Sequence, residues 1–138
     1  MKKHRTTLFA KLFIHGLLPL ITGAVIYILY RPEAWFTRLL NLDNYREQPP
    51  GNFSAFGRFI IYSGPDFFWA CSFASVVFIL NHFYKFGSYR LLFIFVLLVA
   101  EISEIIQLFM PSVFTFSFTD LFAIMAGVSL AAILNKAL

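Results

Sequence analysis

The sequence predicts an all-α membrane protein with four transmembrane helices, at about residues 8–30, 59–82, 91–110 and 119–135. Hydrophobic residues make up 59% of the 138 residues and only 13% are charged, which is unlike a soluble globular chain. Each predicted span approaches the roughly 20 apolar residues that cross a ~30 Å hydrocarbon core. Because the chain is short, residues 1–138 are expected to form one four-helix domain.

The first span follows a basic N-terminal segment, as a signal peptide would. Its apolar run over 8–30 is longer than the ~7–15 apolar residues of a signal peptide, and it lacks a small-x-small cleavage site. We therefore expect a retained first span. Pro19 is expected to kink it, because proline removes a helical hydrogen bond.

The segment that follows predicts a short helix in the membrane interface, in the first outer loop. Pro32 occupies a favourable first helical position, with Glu33 in the first turn. The apolar residues at positions 35, 36, 39 and 40 fall on one helical face. Beyond them, Pro49-Pro50-Gly51 is expected to break regular structure.

The later spans differ in composition. The second contains Gly64-Pro65, where a kink is expected. The fourth is the shortest and is rich in small residues, which allow helices to approach closely in lipid. These small residues are Ala123, Ala126, Gly127, Ala131 and Ala132.

Loop charges predict that both termini are cytoplasmic, in the plasma (inner) membrane. Basic residues occupy the N-terminus, the 83–90 loop and the C-terminus, whereas the 111–118 loop carries no charge. The 31–58 segment conflicts with this orientation, since it carries four arginines on the predicted outer side. Three acids partly offset them. The arginines are Arg31, Arg38, Arg46 and Arg58, and the acids are Glu33, Asp43 and Glu47.

Several classes of partner and cofactor are disfavoured. The lone cysteine, Cys71, allows no internal disulfide and no cysteine-based metal site, and it is expected to be packed and inert. Basic residues are not interleaved with aromatics as on a nucleic-acid-binding surface. No Gly-rich phosphate loop or Cys/His cluster is present in the sequence, so no cofactor, metal or nucleic acid is expected.

Intramembrane acids predict a functional site. Glu101, Glu104 and Gln107 are spaced by three and so share one face of the third span. A carboxylate inside a bilayer costs about 2.5–3.5 kcal/mol, so such residues usually face a bundle interior. Asp66 and Asp120 are expected in the same depth range, from the midplane outward.

Structural explanations compete with this functional one. Arg58 is the candidate partner for Glu104 or Asp120, and Asp120 is also a good helix N-cap. Asp66 could cap a helix that restarts after Pro65, and Gln107 could hydrogen-bond across helices. No Ser-His-Asp or Cys-His arrangement can be built at one depth.

The C-terminal third resembles the VanZ-like membrane protein family. The pattern is Glu104-x-x-Gln107-x-Phe109-x-Pro111, followed by Asp120-Leu121 and then Gly127. Two positions differ from the family. Its loop arginine is missing from Pro111-Ser112-Val113, and its last-span asparagine is replaced by Ile124. The resemblance implies a small cell-envelope protein of four or five spans, in a family named for low-level resistance to a lipid-binding glycopeptide antibiotic.

The leading hypothesis is a pocket in the outer half of the membrane that binds a lipid or lipid-linked envelope molecule. Glu104, Gln107 and Asp120 would line it, with Asp66 and Glu101 as secondary members and Arg58 supplying a cation. An accessory subunit of a larger membrane complex is the first alternative, its acids pairing with an arginine of the partner. An intramembrane enzyme acting on a lipid head group, with Glu104 and Glu101 as acid and base, is less favoured because a nucleophile is not evident. A proton-coupled carrier would need more spans.

Overall fold

The computed structural model describes residues 2–30, 53–109 and 117–136, which are almost entirely helical and contain no strand. The all-α prediction is therefore confirmed for these ranges. The predicted interfacial helix at 32–40 and the break at 49–51 lie outside the described residues. The helices are α1 (Lys2–Lys11), a π-helical segment (Leu12–Leu17), α2 (Leu18–Tyr30), α3 (Ala55–Tyr84), α4 (Tyr89–Phe109) and α5 (Phe118–Lys136).

Among the described residues, three stretches are long and apolar enough to cross a membrane: Thr6–Tyr30, Ala55–Tyr84 and Phe118–Asn135. These match the first, second and fourth predicted spans. Helix α4 has 21 residues and is therefore about 31 Å long at a rise of ~1.5 Å per residue. The count of four spans and the compartment at each end remain predictions.

Helix α3 extends beyond the apolar run that predicted it, because both of its ends are capped. The amide of Gly57 donates to Ser54 Oγ at 3.2 Å, which satisfies a free donor of the first turn. At the other end, Lys85 adopts a left-handed conformation (φ 52°) and its amide donates to the carbonyl of Asn81 at 2.7 Å. Hydropathy detects the lipid-facing length of a helix but not these caps.

The two prolines of the spans have different effects. Pro19 is the second residue of α2 and follows Leu18, whose amide closes the π-helical segment by donating to the carbonyl of Phe13, five residues back. Because proline has no amide hydrogen, a widened turn before it is one way to accommodate it. By contrast, Pro65 lies inside α3, which continues without interruption from Ala55 to Tyr84.

Helices α3 and α5 run parallel and make the tightest contact of the bundle. Ser63 Oγ donates to Thr119 Oγ1 at 3.2 Å, and Asn135 Nδ2 donates to Ser75 Oγ at 3.3 Å. Between these two hydrogen bonds lies Gly127. A Cβ added there would overlap the carbonyl oxygen of Phe67, so only glycine allows this approach.

Helix α2 packs antiparallel against the same central helix. The hydroxyl of Ser72 donates to the carbonyl of Gly16 at 2.7 Å. Seven residues further along, a Cβ on Gly23 would meet the Cβ of Phe68 at 3.0 Å, so the two helix backbones nearly touch. Helix α3 therefore lies between α2 and α5.

Helix α4 returns antiparallel to α5. The hydroxyl of Tyr89 donates to the carbonyl of Ala132 at 2.5 Å, and its ring stacks on Phe78 with centroids 4.8 Å apart. The bundle thus has two ends. We call the end at residues 85–88 the tight-turn end, and the opposite end, near Ser54, Phe109 and Ser117, the loop end.

The core is small and lies between α3, α4 and α5. It contains Cys71, which is buried as predicted, and many large apolar side chains point outward instead. Leu98 and Ile133 expose 62% and 70% of their surface, as suits contact with lipid rather than water. The core residues are Ala70, Cys71, Ala74, Phe78, Val96, Ala100, Ile124, Val128 and Ala131.

Candidate functional site

Glu104 and Gln107 form a hydrogen-bonded pair at the loop end of α4. Glu104 is only 4% exposed, and Gln107 Nε2 donates to its Oε1 at 2.7 Å. Their spacing of three places the two side chains one turn apart on the same face. Gln107 was considered as a partner for another helix, but this hydrogen bond lies within its own helix.

Glu101 lies one turn deeper on the same face. Its carboxyl group belongs to the residue one turn before Glu104 on that face. Both of its oxygens are buried and have no hydrogen-bond partner among the described residues. Burying a carboxylate without a hydrogen-bond donor costs free energy. Glu101 therefore destabilises the helix bundle in a way that Glu104, which accepts from Gln107, does not.

Asp120 is buried, with 6% of its surface exposed. Helix α5 begins at Phe118, so Asp120 lies in its first turn rather than at the predicted N-cap position. The amide of Asp120 donates to the carbonyl of Ser117 at 3.2 Å, and Ser117 Oγ shares a 2.6 Å hydrogen bond with Thr119 Oγ1. An acid in the first turn is favoured by the helix dipole.

Asp66 faces α2 rather than α5. It lines a cavity of about 290 Å³ between α2 and α3, together with apolar and aromatic side chains. Leu20 and Trp69 at this cavity are 42% and 41% exposed, so the cavity opens through the side of the bundle. Its lining residues are Leu20, Gly23, Ala24, Tyr27, Pro65, Asp66 and Trp69.

Arg58 is exposed near the start of α3, where its amide donates to the carbonyl of Ser54 at 3.0 Å. In the described part of the chain, no ion pair joins it to Glu104 or Asp120, the partners considered from sequence. Asp120 Oδ1 is buried and also lacks a hydrogen-bond partner there.

The structure therefore divides the predicted site into two groups. The contact of Tyr89 with Ala132 sets the register of α4 against α5, and equal rises then place Glu101 level with Asp120. By the same register, Glu104 is level with Ser117. Asp66 is separate, because it lies on the side of α3 that packs against α2.

Two polar features were missed from sequence. One is the hydroxyl cluster of Ser63, Ser117 and Thr119 at the loop end. The other is a cavity of about 220 Å³ at the tight-turn end. The sequence signal for this cavity was Asn81 and Asn135, which lie within or beside apolar spans, because polar side chains in a membrane usually have a role. This cavity is lined by Phe78, Asn81, His82, Lys85, Tyr89 and Asn135.

The described side chains at these sites can form hydrogen bonds and, where ionised, ion pairs. Across residues 2–30, 53–109 and 117–136, no group of three or more His, Cys, Asp or Glu side chains could hold a metal ion. The α2–α3 cavity can accommodate an apolar chain beside the Asp66 carboxyl group and the Tyr27 hydroxyl, which both line it.

The chain was also compared with known proteins. No protein-family model, no curated protein and no solved structure matches it. The VanZ-like pattern of Glu104, Gln107, Asp120 and Gly127 thus remains a prediction from sequence.

Proposed function

We propose that this chain is a four-span plasma-membrane protein that binds a lipid or lipid-linked envelope molecule between α2 and α3. The observation that carries this proposal is the cavity of about 290 Å³ with the Asp66 carboxylate in an otherwise apolar and aromatic lining. Pockets of this kind, apolar with a few polar groups, are typical of ligand sites. Because Leu20 and Trp69 are partly exposed, a chain could enter from the hydrocarbon phase.

The lining indicates which part of a ligand lies where. Asp66 lies 3.5 residues from the middle of α3, the helix Ala55–Tyr84, and is therefore about 5 Å toward the loop end. An ionised carboxylate there repels a phosphate and accepts from a hydroxyl or an amine. The proposed ligand therefore presents a hydroxyl or amino group to Asp66 and packs its chain against Trp69.

The proposed orientation places the loop end outside. Lys85 and Arg90 lie at the tight-turn end, and Lys11, at the end of α1 before Gly16, lies toward the same end, which the positive-inside rule favours as the cytoplasmic one. Asp66 then belongs to the outer half of the membrane. A role in the cell envelope, including envelope-antibiotic resistance, is supported by this placement together with the VanZ-like pattern.

The test compares lipid binding by matched variants. Asp66→Asn removes the charge, and Ala24→Leu fills the cavity, while Ala126→Leu adds the same bulk to an exposed position of α5. Lipids that co-purify with each protein are measured by mass spectrometry, and cells carrying each variant are assayed for envelope-antibiotic susceptibility. We expect severalfold less bound lipid for the first two variants only. Unchanged lipid in well-folded Asp66→Asn and Ala24→Leu would refute the proposal.

A second candidate, an accessory subunit of a larger complex, is favoured by Glu101. Both of its oxygens are buried without a partner among the described residues, and a basic residue of another protein would satisfy them if its binding moved α4 enough to expose them. The adjoining face of α4 is apolar and exposed at Leu98 and Ile102. Purification in mild detergent discriminates: a stoichiometric partner that is lost in Glu101→Gln supports this function, and a partner-free protein contradicts it.

A further inference from the structure

Gly23 fixes the register of α2 against α3 at the α2–α3 cavity. A Cβ added to Gly23 would lie 3.0 Å from the Cβ of Phe68 and 3.2 Å from the carbonyl oxygen of Pro65. Gly23 is therefore level with the turn between those two residues, which contains Asp66. Because the two helices are antiparallel and rise equally, Tyr27 then lies about one turn nearer the loop end than Asp66.

The Asp66 carboxyl group consequently lies between two aromatic rings of the cavity lining. Trp69 follows Asp66 by three residues, so it lies one turn away on the same face of α3, toward the tight-turn end. Tyr27 lies about one turn away in the opposite direction. A helical turn rises ~5.4 Å, which is within the ~6 Å over which a cation is attracted to an aromatic ring. A cation beside Asp66 therefore has a ring on each side.

The Trp69 indole is held in place by a second ring. Trp69 and Phe73 are stacked, with ring centroids 5.8 Å apart and planes inclined by only 10°. Phe73 lies one turn further toward the tight-turn end, so it covers the indole from that side and leaves the other face on the side of Asp66. The face of an aromatic ring is its negative part, and it is the part that attracts a cation.

The charge of the lining also favours a cation. Among the described residues, the lining contains the carboxyl group of Asp66 and no lysine, arginine or histidine. An ionised carboxylate taken out of water is costly unless an opposite charge lies beside it. The attraction of a cation to that carboxylate depends on charge and distance, so it acts in addition to any hydrogen bond that Asp66 makes within the protein. A neutral hydroxyl group gains neither this attraction nor that of the rings.

We propose that the α2–α3 cavity selects amphiphilic cations, in which an ammonium or quaternary ammonium group is joined to an apolar chain. This inference rests on the proposed function and chooses the cationic one of the two head groups that it allows. The cation lies against Asp66, between Trp69 and Tyr27. The chain leaves the cavity beside the partly exposed Leu20. Because Asp66 repels phosphate, the preferred ligand carries no phosphate next to its ammonium group.

Four amphiphiles with the same dodecyl chain provide the test. Radiolabelled dodecyltrimethylammonium is bound to the full-length protein in phosphatidylcholine nanodiscs, and the uptake by empty nanodiscs is subtracted. Dodecylammonium, dodecanol and dodecyl sulfate then compete with it at neutral pH. We expect both cations to bind about tenfold more tightly than dodecanol, and dodecyl sulfate to bind most weakly. Dodecanol that binds as tightly as the cations would overturn this inference and leave the proposed function in place.

Matched variants separate the carboxylate from the rings. Asp66→Asn should reduce the preference for cations over dodecanol about tenfold, whereas Glu101→Gln, an equal change of charge on α4, should not. Trp69→Leu should reduce the same preference severalfold, whereas Phe122→Leu, which removes an exposed ring from α5, should not. The ratio of the two affinities is compared because a general loss of packing weakens both ligands alike.

The remaining outcomes are also decisive. Trp69 is partly exposed, so Trp69→Leu keeps the test valid if Asp66→Asn does not fold. An unchanged preference for cations in the folded variants of Asp66 and Trp69 would contradict the inference. If none of the four amphiphiles shows saturable binding to the unaltered protein, the proposed function fails together with this inference.

Discussion

Gln107 donates a hydrogen bond of 2.7 Å to the buried carboxylate of Glu104, one turn earlier on α4. Two of the four residues that match the VanZ-like pattern are thus partners of each other. This pairing gives Glu104 a structural task beside any role in binding. It also distinguishes Glu104 from Glu101, whose oxygens lack such a donor among the described residues.

A double-mutant cycle should measure this pairing. Gln107→Leu is expected to lower the free energy of unfolding by about 1–3 kcal/mol, because it removes the donor to Oε1 of the buried Glu104. Glu104→Leu combined with Gln107→Leu should then be more stable than the sum of the single changes, by about 1 kcal/mol or more. Thermal unfolding in detergent provides the measurement, and strictly additive effects would contradict the pairing.

Gly127 should be intolerant of any side chain. In Gly127→Ala the new Cβ overlaps the Phe67 carbonyl, so α3 and α5 must separate, at about 1–3 kcal/mol. Gly64→Ala is the matched control, because its Cβ would meet only ordinary contacts, the nearest 3.8 Å from Ile60. The melting temperature should fall for Gly127→Ala alone, and a similar fall in both variants would exclude this explanation.

The hydroxyl of Ser72 is expected to stabilise the contact of α2 with α3. Ser72→Ala removes the bond to the Gly16 carbonyl, and interhelical bonds in membranes contribute about 0.6 kcal/mol on average. Thr22→Val is the control, since Thr22 bonds only to Leu18 within its own helix. Chemical unfolding in mixed micelles should show the loss for Ser72→Ala. A larger loss for Thr22→Val would argue against this contact.

Trp69 reports the depth of the α2–α3 cavity. It lies beside the midpoint of α3 and is 41% exposed. In a Trp35→Phe background it is the only tryptophan of the chain. Lipids brominated near the ends of their acyl chains should quench its fluorescence more strongly than lipids brominated near the head group. The reverse order would place the cavity at the membrane surface.

The orientation can be tested with single cysteines. Cys71→Ser removes the native thiol, after which Phe86→Cys and Ala55→Cys place one thiol at each end of the bundle, both at exposed positions. In intact cells a membrane-impermeant maleimide should label the Ala55→Cys protein and not the Phe86→Cys protein. The opposite pattern would reverse the proposed topology, and lysed cells provide the control for reactivity.

The helices could be predicted from sequence to within a few residues, because apolar runs long enough for a bilayer have few alternative structures. The direction in which a side chain points around its helix was harder to predict. Asp66 and Asp120 were both assigned to the outer half, but depth along a span does not give direction around the helix. Asp66 faces α2 because Gly23 brings that helix close, through its contact with Phe68, 45 positions away.

The cavity at the tight-turn end could not be predicted from the sequence either. Asn135 and Asn81 lie 54 positions apart, and neither belongs to a recognisable motif. Their meeting depends on α3 and α5 running parallel with a fixed offset, set by Ser63 with Thr119 and by Gly127. This offset depends on how the side chains of the two helices fit together, and a hydropathy profile contains no information about that fit.

The parallel pairing of α3 with α5 also has a consequence for biosynthesis. Ala70 and Ala74 form the face of α3 that belongs to the shared core with Ile124 and Val128, yet α4 is synthesised between the two helices. This face therefore lacks its partners from α5 until the ribosome has released residues 118–136. A chain stalled before that point leaves Ala70 and Ala74 uncovered by Ile124 and Val128, so this part of the core forms only when α5 has been made.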